Sequence, residues 1–148
     1  AYVHIGHDCL LGDRVIMANN ASVAGHVVVG DYANFGGYSG VPQFRSIGEN
    51  THIAAMSLVT KDVPAFMTVA GNPASAVGLN LEGMRRRDFS NDALAALKES
   101  HKIVYRSGLT KDKALNRLAE LRSKYSEVEK FARSIESSES GIVRGRAH

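Results

Sequence analysis

The chain has one cysteine, no tryptophan and no long apolar run. The single cysteine, Cys9, excludes an internal disulfide and a cysteine-based zinc site, which fits a reducing compartment. No stretch approaches the length of a membrane helix and no charged-then-apolar leader opens the chain, so we expect a cytoplasmic protein without membrane insertion. The first residue is Ala1 instead of Met, already inside a periodic pattern, and we expect a fragment or a processed chain.

Positive charge is modest in amount and uneven in placement. The formal net charge is +3, with 44% hydrophobic residues, which is typical of a globular protein with one or two small cores. The clustered arginines are Arg85, Arg86 and Arg87, with Arg144 and Arg146 in the tail. A nucleic-acid surface would need basic residues spread along one face with aromatic platforms. We therefore expect a local anion site and no nucleic-acid partner, with a solvated surface as the alternative for the arginine cluster.

An internal repeat of six residues occupies the first part of the chain. Ten successive hexads carry an apolar residue at one position: Ile5, Leu11, Met17, Val23, Val29, Phe35, Val41, Ile47, Ile53 and Val59. The residue after each of them is small in nearly every hexad. The period fits neither a helix nor a long alternating strand, and it predicts short strands and turns wound into a parallel β-helix.

The apolar residue of each hexad is expected to point inward and stack on its equivalent in the next coil, about 4.8 Å away. Gly or Ala after it would permit the tight corner. The alternative is a chance run of strands in a sandwich, which ten unbroken hexads make improbable. The pattern resembles the hexapeptide-repeat acyltransferases, and this resemblance implies a left-handed β-helix with three hexads per coil.

The repeat ends after Val59, and helical periodicity follows a connector rich in proline and glycine. We predict left-handed β-helix coils over residues 1–75 and a small α-helical C-terminal domain over residues 76–148.

Three helices are expected in that second domain. Ser90 is the predicted N-cap of the first, which would end at Gly108, and Thr110 is the predicted N-cap of the second. Ser126 and Glu129 have the spacing of a capping box that opens the third. From Glu136 onward we expect a frayed or disordered tail.

Histidines and an aspartate gather near the start of the chain as His4, His7 and Asp8, with His26 one coil further on. An imidazole next to a carboxylate that orients it is what a general base needs. Alternatively, Asp8 only satisfies a corner amide, or the three histidines bind zinc. Cys9 is a conceivable nucleophile, but its place in the hexad predicts that it packs inside the prism.

Several segments resemble one family, the bacterial UDP-N-acetylglucosamine acyltransferases. These are His-Ile-Gly-His-Asp-Cys from position 4, Met-Ala-Asn-Asn-Ala from 17, Ala-Gly-His-Val from 24, Asn-Leu-Glu-Gly-Met-Arg-Arg-Arg from 80 and Val-Tyr-Arg-Ser-Gly from 104. That family transfers a 3-hydroxyacyl group from acyl carrier protein to the glucosamine 3-hydroxyl of UDP-N-acetylglucosamine in the first step of lipid A synthesis. The resemblance covers essentially the whole chain, as the C-terminal half of such an enzyme.

Carried over residue by residue, the resemblance implies that His7 is the general base, that Asp8 orients it, and that the Gly25 N–H binds the thioester oxyanion. The residues that it implies for the sugar and donor side are His4, His26 and Gln43. Those that it implies for the nucleotide are Asn80, Glu82, Arg86 and Arg87. A small residue at Ala55 suggests room for a medium or longer acyl chain.

The resemblance also implies a homotrimer with the site between subunits, acyl carrier protein and UDP-N-acetylglucosamine as partners, and no cofactor or metal. Its helical domain would help the carrier protein to dock near a basic surface. Pro42 departs from the family, which has histidine before Gln-Phe, and the N-terminal coils are missing. A coenzyme A-dependent acetyltransferase and a non-catalytic trimerising module remain alternatives, and the sequence leaves open a 3-hydroxyl or a 3-amino acceptor.

Overall fold

The computed structural model describes residues 1–145, so Arg146 of the expected tail cluster lies outside the described residues. Nine two-residue strands come first, then a hairpin and helices. The strands are β1 His4–Ile5, β2 Leu10–Leu11, β3 Ile16–Met17, β4 Ser22–Val23, β5 Val28–Val29, β6 Asn34–Phe35, β7 Gly40–Val41, β8 Ser46–Ile47, β9 His52–Ile53, β10 Met67–Gly71 and β11 Ala74–Leu79. The helices are α1 Leu81–Arg86, α2 Asn91–Tyr105, α3 Lys111–Lys124 and α4 Ser126–Glu136.

Parallel pairing between every third strand closes the repeat into a prism. Ile5 pairs with Val23 and Leu11 pairs with Val29, so the partner lies eighteen residues further along the chain. The three sheets have the orders β1-β4-β7, β2-β5-β8 and β3-β6-β9, and the last is extended by β10 and β11. The predicted parallel β-helix is confirmed.

The apolar residue of each hexad lies inside the prism. The seven from Val23 to Val59 are buried and stack into one core with the C-terminal helices. Ile5 and Leu11 are 45% and 40% exposed, because they belong to the first coil and no coil of the described chain lies below them. Burial of a side chain of this size stabilises the fold by about 2 kcal/mol, so the stack is the main source of the stability of the prism.

The corners of the prism differ from the expectation in one respect. The left-handed conformation falls on the third residue after the apolar one, and each of these residues has a side chain: Asp8, Arg14, Asn20, His26, Tyr32, Tyr38, Phe44, Asn50 and Met56. The small residue, two positions before the corner, is required for a different reason. A Cβ on Gly6 would lie 2.6 Å from the backbone of Ala24, because successive coils approach closely at that point.

A hairpin joins the prism to the helices. Thr68 of β10 pairs with His52, and β10 and β11 are antiparallel. Strand β11 crosses the boundary expected between residues 75 and 76, and the short helix α1 was not predicted. The caps of the next two helices are confirmed, since Ser90 Oγ accepts the Ala93 N–H and Thr110 Oγ1 accepts the Lys113 N–H.

The predicted capping box at the start of α4 is wrong. The cap position is Tyr125, with no side-chain cap bond, because the Glu129 carboxylate faces α3 instead. Arg122 Nε and Nη2 donate to Glu129 at 2.6 Å and 3.1 Å, and Arg133 donates to it at 3.0 Å. The hydrogen bond from Arg122 is the largest cause that lowers the pKa of Glu129 to about 2. This ion-pair network joins α3 to α4.

The tail after Glu136 is ordered through residue 145, so the expectation of a frayed end is wrong there. Ile142 and Val143 are buried, and the Tyr105 hydroxyl donates to the Val143 carbonyl at 3.0 Å. Ser138 Oγ donates to Asp62 at 2.6 Å, which ties the tail to the prism. Two apolar residues and a buried carboxylate outweigh the polar composition that suggested disorder. No helix within residues 1–145 is long and apolar enough to cross a membrane.

Candidate active site

One edge of the prism carries the predicted general base. Because a coil takes eighteen residues, the corners at Asp8, His26 and Phe44 stack along this edge. We call His7, Asp8, Gly25, His26 and Phe44 together the histidine ridge.

His7 and Asp8 form the pair that the sequence predicted. Asp8 Oδ2 lies 3.1 Å from His7 Nδ1 and 3.8 Å from His26 Nε2. The hydrogen bond with His7 and the charge of His26 hold the pKa of Asp8 below its ordinary value. The carboxylate is therefore ionised at neutral pH and occupies His7 Nδ1, which leaves His7 Nε2 as the nitrogen available for proton transfer.

Gly25 lies against the imidazole of His7. A Cβ at this position would come within 2.8 Å of His7 Nε2 and 2.9 Å of its Cε1. Only glycine lets the backbone approach the ring so closely. The structure thus places the backbone of Gly25 beside the nitrogen that would carry out the chemistry.

His26 sits between two other rings of the ridge. Its centroid is 5.0 Å from that of His7 in an edge-to-face contact, and 4.7 Å from that of Phe44 with planes 6° apart. The sequence reasoning did not single out Phe44. Its spacing of eighteen residues from His26 was the signal that could have found it.

Three other residues that were predicted to contact the substrates lie outside the histidine ridge. His4 lies on β1 and Gln43 precedes the corner at Phe44, both exposed, while Ala55 precedes the corner at Met56 on another edge. Within residues 1–145, none of the three forms a hydrogen bond or ion pair with the His7 side chain. Their predicted roles stay predictions.

The nucleotide residues that the sequence predicted come together on a different edge. Asn80, Glu82, Arg86 and Arg87 line a groove of about 520 Å³. Asn80 is the N-cap of α1, since its Oδ1 accepts the Gly83 N–H, and its Nδ2 donates to the Asn50 carbonyl. The cap fixes α1 against the prism and so positions the other three.

The two arginines of the groove have different environments. Arg86 is exposed and pairs with Glu82 at 2.6 Å. Arg87 is mostly covered: its Cζ lies 3.7 Å from the centroid of Tyr32, and its Nη1 donates to Asn50 Oδ1 at 3.2 Å. The Arg87 side chain is therefore held in place before any ligand binds, whereas Arg86 is held by an exposed ion pair with Glu82. Tyr32 and Asn50 were missed, although both occupy corners of one edge eighteen residues apart.

Within the described residues, the ridge also contains a group of side chains that could hold a metal ion. One ligand atom each from His7, Asp8 and His26 lie within 4.8 Å of one another, so a metal would take Asp8 in place of the His4 of the sequence-based alternative. Cys9 points inward, as predicted, and its Sγ donates to the Ala24 carbonyl at 3.0 Å. It belongs to the packing of the prism.

These features define the class of protein as a hexapeptide-repeat β-helix protein: a parallel β-helix, a histidine–aspartate pair at a corner, and a helical C-terminal unit. A family model described as UDP N-acetylglucosamine O-acyltransferase, domain 2, matches residues 62–143. The chain belongs to this family.

Curated and solved relatives agree with that assignment. The acyl-[acyl-carrier-protein]–UDP-N-acetylglucosamine O-acyltransferases of Thiobacillus denitrificans and Pseudomonas fluorescens are 49% and 50% identical to it over 97% of this chain and 56% of theirs. The structure of LpxA from Acinetobacter baumannii is 45% identical, with a TM-score of 0.93 over 96% of this chain and 55% of that one. The UDP-N-acetylglucosamine acyltransferase of Francisella novicida is 37% identical, with a TM-score of 0.94 over 97% and 53%. The chain thus spans about half the length of these relatives.

The structural relatives also show the handedness of the β-helix. LpxA neighbours have a left-handed β-helix, and the superposition covers both the prism and the helices of this chain. The predicted fold, a left-handed parallel β-helix followed by a small helical unit, is therefore confirmed.

Proposed function

We propose that the protein moves a 3-hydroxyacyl group from acyl carrier protein to the 3-hydroxyl of UDP-N-acetylglucosamine, the first step of lipid A synthesis. The support is the membership of the family together with the arrangement of the histidine ridge. The observation that carries it is the His7–Asp8 pair, with Gly25 closed against the free nitrogen of the imidazole. The proposal places the reaction in the cytoplasm and needs no cofactor.

In this reaction His7 Nε2 takes the proton of the sugar hydroxyl, whose oxygen then attacks the thioester carbonyl. Asp8 keeps the imidazole in the required tautomer and stabilises its protonated form. The backbone N–H of Gly25 would donate to the oxyanion of the tetrahedral intermediate, where one donor contributes roughly 3 kcal/mol. His7 then returns the proton to the departing thiolate of the carrier, so that charge and atoms balance.

The acceptor nucleotide fits the groove on the other edge. Guanidinium groups suit diphosphate oxygens, and the exposed Arg86 is free to leave Glu82 and bind them. Arg87 offers a fixed positive charge, and Asn80 and Glu82 would contact the nucleoside. His4, His26 and Gln43 would line the sugar and donor side.

The positions of the two sites support the homotrimer that we propose as the assembly. The ridge runs through the corners at Asp8 and His26, whereas the groove uses those at Tyr32 and Asn50, so the two sites lie on different edges of one prism. In a closed ring of three subunits each interface is heterologous, so an edge of one prism meets a different edge of its neighbour. We propose that each active site combines the ridge of one subunit with the groove of the next.

The donor is proposed to dock on the helical domain. Lys98, Lys102 and Arg106 are exposed and follow one face of α2 at intervals of four residues. An acidic carrier protein would be attracted to this face. Ala55, exposed just before the corner at Met56, would leave room for a medium or longer acyl chain.

The test measures acyl transfer from 3-hydroxyacyl carrier protein to UDP-N-acetylglucosamine by the full-length protein and its His7→Ala variant. We expect turnover by the former and a loss of roughly a hundredfold or more in kcat by the latter, with the oligomer intact. Consumption of acetyl-coenzyme A without carrier-dependent transfer would contradict the proposal. Full activity of His7→Ala would contradict the assignment of the base.

A further inference from the structure

Phe44 is an aromatic residue whose position is not explained by burial. Its side chain is 66% exposed, and its φ of 64° places a bulky residue in the left-handed region. Neither property contributes to the core of the prism. The contacts of the ring therefore indicate what Phe44 does.

The ring of Phe44 stacks on the imidazole of His26. The centroids are 4.7 Å apart and the planes differ by 6°. The backbone joins the same group, since the Phe44 N–H donates to the Gly25 carbonyl at 3.2 Å. Phe44 thus reaches both residues of the coil below that face His7.

An exposed imidazole without such a neighbour would rotate among several side-chain conformations. A parallel aromatic ring removes that freedom, because it covers one face of the imidazole and fixes its plane. The fixed plane keeps the imidazole of His26 perpendicular to that of His7, and keeps His26 Nε2 3.8 Å from the carboxylate of Asp8. Asp8 is then shared by two imidazoles, each of which limits its movement.

We propose that Phe44 is a positioning residue that acts through His26: it holds the imidazole against Asp8, and so keeps the His7–Asp8 pair aligned. The inference rests on the proposed function, because the aligned pair is the proposed catalytic base. It assigns Phe44 no contact with either substrate. A direct contact with sugar or acyl chain would be a different role with a different kinetic signature.

The first experiment observes His26 directly and does not depend on activity. The ring protons of His26 are followed by NMR in the full-length protein and in its Phe44→Leu, Phe44→Tyr and Tyr38→Leu variants. Tyr38 is the matched control, because it is a 67% exposed aromatic residue with a φ of 60° on another edge. We expect Phe44→Leu to move the His26 signals, since the ring current is lost, and the other two variants to leave them near their original positions. Unmoved signals in Phe44→Leu would overturn the inference.

The second experiment is a double-mutant cycle in the transfer assay. Phe44→Leu should lower kcat by about tenfold and raise KM by a smaller factor, because alignment of the base is lost while the nucleotide groove is unchanged. Phe44→Tyr should restore most of the rate. In a His26→Gln background, Phe44→Leu should cost less than about twofold more, because its effect passes through His26.

Two kinetic results would overturn the inference: losses that multiply independently in the cycle, or a loss of Phe44→Leu that appears in KM alone. Absence of transfer by the unsubstituted protein would contradict the proposed function instead. Unmoved His26 signals in Phe44→Leu would still overturn the inference about Phe44 in that case.

Discussion

A carboxylate that serves two imidazoles sets the chemistry of the histidine ridge. Asp8 is exposed, yet its pKa is held below the ordinary value by the hydrogen bond with His7 and by the charge of His26. Its ionised state therefore persists well below neutral pH. This explains how a corner open to solvent can orient a base without being buried.

Substitution of Gly25 provides a steric test of the proposed site. Gly25→Ala should lower kcat by roughly a hundredfold, because the new Cβ would meet His7 Nε2 at 2.8 Å and displace both the imidazole and the proposed oxyanion donor. The measurement is kcat in the transfer assay. Gly78→Ala is the control, since a Cβ there meets nothing within 4 Å and should leave the rate unchanged. An unaffected Gly25→Ala enzyme would refute the assigned geometry.

Individual residues were predictable where their spacing in the sequence carried the information. His7, Asp8 and His26 follow from the hexads, because the repeat determines which residues occupy corners. The covered environment of Arg87 was not predictable, since Tyr32 lies more than fifty positions earlier and their contact depends on where α1 packs. Phe44 was not predicted, because an aromatic side chain gives no signal of acid–base chemistry even at the same spacing of eighteen residues.

Among the elements, α1 and its two caps carry the residues that we propose for nucleotide binding. It is short, and its position depends on contacts at both ends: the Asn80 cap reaches the Asn50 carbonyl, and Arg87 contacts Tyr32 and Asn50. A helix of this length has little stability of its own. The prism therefore determines where the groove residues are placed.

Arg86 at the end of α1 and its C-cap Arg87 should separate effects on binding from effects on stability. Arg86→Ala should raise the KM for UDP-N-acetylglucosamine without lowering the unfolding free energy, because this side chain is exposed. Arg87→Ala should raise KM and also cost about 2 kcal/mol of stability, since it removes a ring contact and leaves Asn50 Oδ1 unpaired. Steady-state kinetics and urea unfolding measure the two effects. Equal stability losses would contradict the distinction.

Elements with local signals were the predictable ones. The caps at Ser90 and Thr110 need only a residue and the amide three positions later. The short helix α1 and the start of α4 depend instead on distant partners: Glu129, which seemed part of a capping box, is bound by arginines from two helices. The sequence pattern does not show whether this carboxylate binds the cap amide or the arginines.

For the molecule as a whole, the tail after α4 joins the helices to the end of the prism. Ile142 and Val143 are buried, and Ser138 is bonded to Asp62, which also accepts the Ser46 N–H at 2.8 Å. The family match from residue 62 to 143 runs through both partners of this contact. The division at residues 75 and 76 stays a prediction about domains, but strand and tail contacts cross it.

Truncation after Glu136 should therefore destabilise the whole molecule. The loss of two buried apolar side chains and of the Ser138–Asp62 bond should cost about 4 kcal/mol. Urea unfolding measures it, and a chain ending at Gly145 is the control that keeps these contacts. An unchanged midpoint for the shorter chain would show that the tail contributes nothing.

The corner backbone has a consequence for how such proteins diversify. Charged, aromatic, amide and thioether side chains all occupy the same left-handed conformation, from Asp8 to Met56, while the aliphatic stack inside maintains the coil. The residues that maintain the coil are thereby distinct from the corner residues, which can differ in chemistry. Corner residues can be exchanged in register without a change of the turn, so a designer who wishes to graft a ligand site onto the prism has positions at regular intervals on each edge.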